Sequence, residues 1–551
     1  MSAPIGRLSA LGWTAIAWGV ALTVVVPLAV VVASLAGDSD GIFGHIVETR
    51  LATYAGNTAL LCLGVAALTL LLGVPPAWFV TMHRFTGRRI LSILLLLPFA
   101  VPAYIASYSV TDLLQPSGPL QQLAIGEDGV RWWWPRMRSL PGAVVILSFC
   151  LYPYVYLASR AAFLALPGSL MDAAKTLGCG PASVLFRVVL PISAPTIAGG
   201  LLLVVMETVA DFGAVDYCAV DTFATGVYRA WATLGSPVAA AQLGSVLLGA
   251  MAVALFVLAV ARGRRRFHAS DASSHTPHPT HLHGLRGVIA LGVCALPIIG
   301  GFVLPVGWLT VLTITNGDRR AGELLLDHGT ATIALSACAA LLVVVTSLLL
   351  VEARRMNKTW ATRASLKASY LGYAVPGTVL AVGLLIPLAW LDHRLNDAWA
   401  WLGGERLGLV LTGTVVAVLL GYQARFLAVG SGFLRSGLDR VSPRLDEAAH
   451  SLGGSPIRIF GRIHLPLLLP AMFAAMLLVF VDAAKELPMT LMLRPFGLDT
   501  LAVRVYQLAS DERLGEASSG ALAIVAVGLV PVVVLSTAME SRMNKLARSP
   551  R

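Results

Sequence analysis

Charge is scarce in this sequence. Of its 551 residues, 13% are Asp, Glu, Lys or Arg and 57% are hydrophobic, whereas roughly 25% of a typical soluble domain is charged. The 6 cysteines form no Cys-x-x-Cys pair, which favours small buried side chains over a metal or redox site. No Gly-x-x-x-x-Gly-Lys-Ser/Thr, His-Glu-x-x-His or Gly-x-Ser-x-Gly segment occurs. We therefore expect no ATP hydrolysis, no catalytic residues and no cofactor in this chain.

Long intervals without any charged residue define the class of protein. A helix needs about 20 apolar residues to cross a bilayer, and the lack of water in lipid favours helices over open strands. Twelve intervals of at least 18 residues are free of charge, so we predict an all-α polytopic membrane protein with twelve transmembrane helices. These intervals are residues 8–37, 51–83, 90–111, 139–159, 188–206, 230–261, 287–317, 328–351, 368–391, 407–424, 463–481 and 517–539.

The segments between these intervals alternate in charge. Segments on one side of the membrane sum to +20 and those on the other side to −9, which together give the net charge of +11. Cytoplasmic loops of membrane proteins carry an excess of Lys and Arg. We therefore predict that both termini lie in the cytoplasm. The basic character reflects this topology, so no nucleic-acid partner is expected.

A basic, histidine-rich stretch divides the sequence. Residues 262–286 begin with arginines, continue through Ser, Thr and Pro, and contain four histidines. A flexible cytoplasmic linker is the favoured interpretation, with metal sensing as the alternative. Six intervals precede it and six follow, and an even number preserves orientation. We predict a first six-span repeat over 1–261 and a parallel second repeat over 287–551.

One short phrase occurs twice, 275 residues apart, in segments expected to be cytoplasmic. Each copy has an acid, two alanines, a glycine six positions after the acid, and a Leu-Pro pair that ends thirteen positions further on. Proline near a helix start and glycine at its end predict a short helix, and its alanines allow another protein's backbone to come close. The two copies therefore indicate two equivalent docking partners. Their residues are Asp172, Ala173, Ala174 and Gly178, and Glu447, Ala448, Ala449 and Gly453.

This pattern resembles the coupling-loop motif of ABC importer permeases. The resemblance implies a type I importer fold in a bacterial inner membrane, with the eight residues above seated in grooves of two copies of a cytoplasmic ATPase. ATP would be bound by those partner subunits, and a periplasmic substrate-binding protein would deliver the cargo. The first copy departs from the family pattern because Asp172 replaces the usual glutamate; it keeps the charge with a shorter reach.

Further segments narrow the resemblance. Residues 207–215, 222–231, 372–377, 485–490 and 493–497 resemble the fused permeases of ferric iron importers, which implies ferric iron as the substrate. Permeases for thiamine, sulfate and polyamines share the fold and stay alternatives. An ATPase-independent secondary transporter or channel would also suit twelve spans, but it gives no reason for the repeated phrase.

Two pairs of acids recur near the ends of spans. Glu207 and Asp211 in the first half correspond to Asp482 and Glu486 in the second, each pair spaced four apart as on one helix face. Ionisable groups at membrane depth usually face a bundle interior or a water-filled cavity. One interpretation is an acidic lining of the substrate path; the other is structural ion pairing or a position at the membrane boundary. Lys485 counts against a fully acidic lining, and no residues are assigned to a metal site.

Overall fold

The computed structural model describes residues 4–115, 118–125, 134–262, 280–316 and 321–548. Most of them are helical, and the prediction of an all-α polytopic membrane protein is confirmed. A single parallel strand pair occurs among them, β1 (His83–Arg84) with β2 (Thr280–His281). Most of the predicted linker, including His275 and His278, lies outside the described residues.

Before the linker the helices follow the predicted intervals closely. Short 3-10 turns occur at Ser34–Ala36 and Leu97–Ala100, and a π-helical turn occurs at Leu185–Val189. The α-helices are α1 (Pro4–Ala33), α2 (Ile42–Thr49), α3 (Leu51–Met82), α4 (Arg88–Leu94), α5 (Ala103–Leu114), α6 (Pro119–Ile125), α7 (Leu140–Leu164), α8 (Gly168–Thr176), α9 (Pro181–Val184), α10 (Leu190–Ala210), α11 (Gly213–Tyr217), α12 (Phe223–Ala232) and α13 (Pro237–Arg262).

The helices after the linker repeat this order. Two π-helical turns occur here, Ile299–Val303 and Phe460–His464. The α-helices are α14 (Leu285–Ile298), α15 (Leu304–Asn316), α16 (Ala321–Met356), α17 (Trp360–Ser369), α18 (Leu371–Ala374), α19 (Gly377–Trp401), α20 (Val415–Leu438), α21 (Pro443–Ser451), α22 (Pro456–Ile459), α23 (Leu465–Ala484), α24 (Pro488–Leu493), α25 (Leu501–Ser510) and α26 (Leu514–Arg548).

Eleven helical segments of the described chain are long and apolar enough to cross a membrane. A twelfth span is obtained if the helix pair bent by 95° after Ala100 is counted as one crossing, which gives the predicted number. The bend follows from Pro102, whose backbone is extended (φ −58°, ψ 141°) and whose ring removes an amide donor. Pro376 has the same backbone angles within a few degrees before α19. The two prolines therefore have matching conformations in the two halves.

The described chain divides into two compact units that cross the boundary between the sequence halves. Unit I contains residues 50–225, 247–319 and 508–551, and unit II contains residues 1–49, 226–246 and 320–507. Each unit takes its central helices from one half and its outer segments from the other. The predicted repeats therefore follow the order of the sequence. In the folded chain, each unit also contains first and last segments of the opposite sequence half.

Unit I is built on the packing of α3, α7 and α10. Glycine allows these helices to approach closely: a Cβ on Gly200 of α10 would lie 2.9 Å from the carbonyl oxygen of Tyr154 in α7. Two fully buried tyrosines of α7 are satisfied by backbone, since the Tyr152 and Tyr156 hydroxyls donate to the carbonyls of Leu95 and Ser92 at 2.9 and 3.1 Å. Helix α15, from the second half of the sequence, packs on α5 and α26.

Unit II repeats this arrangement with α16, α20 and α23. Helix α1, from the first half, packs on α16, α17 and α19 and contributes Ala17, Val20 and Val24 to the buried apolar cluster. Gly383 of α19 makes this approach possible, because a Cβ there would lie 2.6 Å from the Pro27 carbonyl oxygen. The membrane helices that carry the repeated phrase thus have corresponding frameworks in the two units.

Candidate functional site

The repeated phrase folds the same way in both copies. We name residues 168–189 the first coupling segment and residues 443–464 the second coupling segment. Each consists of a nine-residue helix (α8 or α21), a glycine turn, a four-residue helix (α9 or α22) and a five-residue π-helical turn. That π-helical turn runs directly into a membrane helix, α10 or α23. Every one of these elements begins 275 residues after its counterpart, and π-helical turns are frequent at functional sites.

Glycine produces the turn in each segment. Gly178 and Gly453 both have φ +79°, a left-handed conformation that costs a side-chain-bearing residue energy. The next amide closes the helix end: Cys179 N donates to the Ala174 carbonyl at 3.1 Å, and Gly454 N donates to the Ala449 carbonyl at 2.9 Å. This is the bonding of a Schellman stop. The prediction that glycine ends each helix is confirmed.

The predicted docking residues lie at the surface of these short helices. Ala173, Ala448 and Glu447 are exposed, Ala449 is half-buried and Ala174 is buried. Asp172 belongs to α8, and its side chain is not among the described ones. The backbone of these alanines also takes part in closing the helix ends, because the Ala173 and Ala448 carbonyls accept hydrogen bonds from the amides of Leu177 and Leu452.

Sequence analysis missed the leucine before each glycine. Leu177 is 83% exposed and Leu452 is 88% exposed. A single exposed leucine needs no explanation, but the same exposure at equivalent positions of two copies makes these leucines candidates for a docking surface. The sequence clue that could have identified them is an apolar residue directly before the glycine in both copies of the phrase.

A second missed feature is a buried charge network that holds the second coupling segment. The His464 imidazole is 0% exposed and lies between two carboxylates, with Nδ1 2.8 Å from Glu352 Oε1 and Nε2 2.8 Å from Asp446 Oδ1. Arg355 Nε donates to Asp446 Oδ2 at 2.7 Å, and its guanidinium also donates to the carbonyls of Leu438 and Val441. The network joins α16, α21 and the start of α23.

The geometry pairs each ring nitrogen of His464 with a carboxylate oxygen. An ionised carboxylate only accepts hydrogen bonds, so a ring that donates to both carboxylates is an imidazolium. Burial alone would raise the pKa of the Asp446 carboxyl, but the hydrogen bonds from Arg355 and His464 hold that pKa below its ordinary value of 3.8.

The second member of each acid pair caps a short helix. Helix α10 ends at Ala210 and α23 at Ala484, so Asp211 and Glu486 follow the helices and the expected common face with Glu207 and Asp482 is not formed. Asp211 Oδ1 accepts from the amides of Ala214 and Val215 at 3.0 and 3.2 Å, at the start of α11. Glu486 Oε1 accepts from the Met489 amide at 3.2 Å, at the start of α24.

Basic side chains lie beside both acids of the second pair. Arg425 Nη1 lies 3.3 Å from Glu486 Oε1, and Lys485 Nζ lies 2.9 Å from Asp482 Oδ1. Glu207 is half-buried on α10, three residues before that helix ends. Within the described part of the chain, no group of three or more His, Cys, Asp or Glu side chains could hold a metal ion.

A helical protein of eleven or twelve spans with two matched cytoplasmic-type segments is a two-repeat membrane permease. The chain belongs to the family described as binding-protein-dependent transport system inner membrane components, which matches residues 69–269 and 349–548. It is therefore a fused permease of an ABC importer, a multi-pass inner-membrane protein.

Several similar proteins have names that state a cargo. An Fe(3+)-transport system permease protein of Haemophilus influenzae is 26% identical over 501 residues, covering 89% of this chain and 90% of its own length. A ferric transport system permease protein of Actinobacillus pleuropneumoniae is 24% identical, covering 86% of this chain and 66% of its own length. A sulfate transport system permease protein of Escherichia coli is 29% identical over 202 residues, covering 36% and 71%.

Proposed function

We propose that this permease moves ferric iron from the periplasm to the cytoplasm, and that two copies of a cytoplasmic ATPase drive it through the two coupling segments. A periplasmic binding protein delivers the iron. The observation that carries the coupling role is the duplicated surface: each segment presents an exposed leucine beside a glycine at φ +79°. An ATPase-independent transporter would have no use for two such surfaces.

Orientation follows from the same assignment. The coupling segments must face the ATPase, so the basic segments and both termini lie in the cytoplasm, as the distribution of charge predicts. Cysteine placed at the exposed positions Asp38 and Ala398 in a cysteine-free background should react with an impermeant thiol reagent from outside. Cysteine at Leu177 should react only after permeabilisation, and reaction of intact cells at Leu177 would overturn the orientation.

Ferric iron as the cargo is supported by relatives whose names carry it and that align over most of this chain. The sulfate permease aligns over about a third of it. The acids give weaker support, because Asp211 and Glu486 cap helices and Asp482 and Glu486 face cations. A hard cation prefers oxygen ligands, and Glu207, which is half-buried within α10, is the acid that we test first as part of the translocation path.

The decisive experiment is transport by reconstituted complexes. The permease, its ATPase and candidate binding proteins in liposomes should accumulate labelled ferric iron when ATP is supplied on the ATPase side. Accumulation of labelled sulfate or thiamine instead would replace the cargo and leave the permease assignment intact. Uptake without any ATPase would contradict the coupling role.

Amide variants separate the acids. Glu207→Gln removes charge at nearly constant size and should lower ferric uptake while ATPase binding is retained. Asp211→Asn keeps an acceptor for the amides of Ala214 and Val215 and should change uptake less, since asparagine also caps helices well. Equal effects of the two variants would argue against a path role that is specific to Glu207.

A further inference from the structure

We propose that the charge network of Glu352, Asp446 and His464 locks the second coupling segment to its membrane helices, a contact that the apolar residues at the three equivalent positions of the first half cannot make. His464 is a positioning residue that makes α21 and α23 move together when the ATPase acts. This inference rests on the proposed coupling role. It adds that the two halves transmit force unequally.

The network connects three elements that coupling must move together. Asp446 lies on the docking helix α21, His464 is the last residue of the π-helical turn that leads into α23, and Glu352 lies near the end of α16. Both imidazole contacts measure 2.8 Å. Hydrogen bonds between ionised groups are directional and about twice as strong as neutral ones. They therefore fix the orientation of α21 as well as its distance from α23.

The first half folds without these groups. The residues 275 positions earlier are Ala77, Met171 and Val189, and Val189 occupies the last position of its π-helical turn with 0% exposure, as His464 does. The same backbone is thus compatible with apolar contacts at this place. A buried ion network is weak evidence of added stability, because apolar replacement is often neutral or stabilising. The network of the second half is therefore better explained by the positioning of α21 relative to α23 than by added stability.

The test replaces the network as a unit with the residues of the first half: Glu352→Ala, Asp446→Met and His464→Val. Removing all three leaves no carboxylate without its cation; Arg355 loses its contact with Asp446 but still donates to the Leu438 and Val441 carbonyls. ATPase binding and ATP hydrolysis should be retained, while iron transported per ATP should fall by about twofold to thirtyfold, the span of measured coupling effects. The matched control is Asp439→Ala, which removes an exposed ion pair at the end of α20 and should leave this ratio unchanged.

The outcomes are separable. An unchanged ratio in a correctly inserted triple variant would overturn the lock. If the triple variant does not insert, Asp446→Asn gives the same measurement with the shape of the side chain kept, and an unchanged ratio there would equally overturn it. A wild-type permease that neither binds the ATPase nor transports with it would refute the proposed function, whatever the network does.

Discussion

The two coupling segments share a backbone and differ in what holds them. Both turn at a glycine with φ +79° and both lead through a π-helical turn into a membrane helix. In the second segment the buried ring of His464 ties the docking helix to that turn, whereas the first has valine at the equivalent place. Backbone shape is therefore set by local residues, and attachment is set by side chains that come from elsewhere in the sequence.

The acid pairs show the same contrast. Asp211 and Glu486 make equivalent capping contacts three residues ahead, but Glu486 also faces Arg425, and the residue 275 positions before Arg425 is Cys150. In both places the second half of the chain has a basic residue where the residue 275 positions earlier, Cys150 or Val189, is uncharged. Duplication kept the hydrogen bonds of the backbone, and the charges diverged.

The largest effect is expected from His464→Val alone. It leaves Glu352 and Asp446 without the cation between them, and breaking a buried ion network in this way typically costs about 3–5 kcal/mol. The apparent unfolding temperature of the purified complex should fall more than in the triple replacement described above, although fewer residues are changed. A single variant as stable as the triple one would show that the carboxylates need no counter-ion.

A smaller effect is expected from Asp446→Asn, and it should depend on pH. Hydrogen bonds to charged groups contribute about 1.5–3 kcal/mol. Because the folded-state pKa of Asp446 lies below 3.8, its contribution is present above that pH and is lost as the pH falls through the folded pKa. The stability difference from wild type should shrink as the pH falls from about 5 into stronger acid.

The control for this titration is Met171→Asn in the first segment, whose wild-type residue does not ionise. Its stability difference from wild type should not change across the same acid range. A constant difference for Asp446→Asn down to pH 3 would mean that the carboxyl is not held in its ionised form by the network.

Sequence alone indicated most of what is local. Spans, the parallel repeat and the glycine turns follow from charge-free intervals and from the spacing of Gly178 and Gly453. The network could not be predicted in this way, because Glu352 and His464 are 112 positions apart and only the packing of α16 on α23 brings them together. The prediction that each acid pair shares one helix face was wrong for a local reason, because α10 and α23 end before Asp211 and Glu486.

The sequence pattern also could not predict that each folded unit contains helices from both sequence halves. A hydrophobic span shows that a helix enters the membrane, but its apolar faces fit many neighbours. Helix α1 packs on α19 because small residues such as Gly383 open room for it. That complementarity is a property of two surfaces, and neither surface is visible in the periodicity of one segment.

Replacing the turn glycines tests the shared part of the comparison. A side chain at φ +79° costs roughly 1–2 kcal/mol, and a Cβ at either position would meet no non-neighbouring atom within 4 Å, so the cost of Gly178→Val or Gly453→Val comes from the backbone alone. ATPase binding should weaken in both variants and fail in the double variant. Gly180→Val is the matched control, since Gly180 has no positive φ and no neighbour within 4 Å. Normal uptake by an inserted double variant would contradict the coupling role of the turn.

The exposed leucines should contribute less. Leu177→Ser and Leu452→Ser remove apolar area from the docking surface, and most interface side chains cost about 1 kcal/mol or less on truncation. Both should weaken ATPase binding without changing the stability of the free permease, because the side chains are solvent-exposed in it. If the two segments dock equivalently, the affinity losses should be similar. A loss confined to one variant would extend the asymmetry from attachment to docking.

The smallest effect is expected from the acids of the phrase itself. Glu447 is exposed, and exposed ion pairs typically contribute about 0–1 kcal/mol, so Asp172→Ala and Glu447→Ala should each weaken ATPase binding by no more than about fivefold. The shorter reach of Asp172 favours the smaller loss in the first segment. Titration of ATPase binding at low and high salt measures both variants, since screening should reduce the difference from wild type. Losses that are larger in the first segment, or insensitive to salt, would show that these carboxylates act through a buried contact with the partner rather than through an exposed pair.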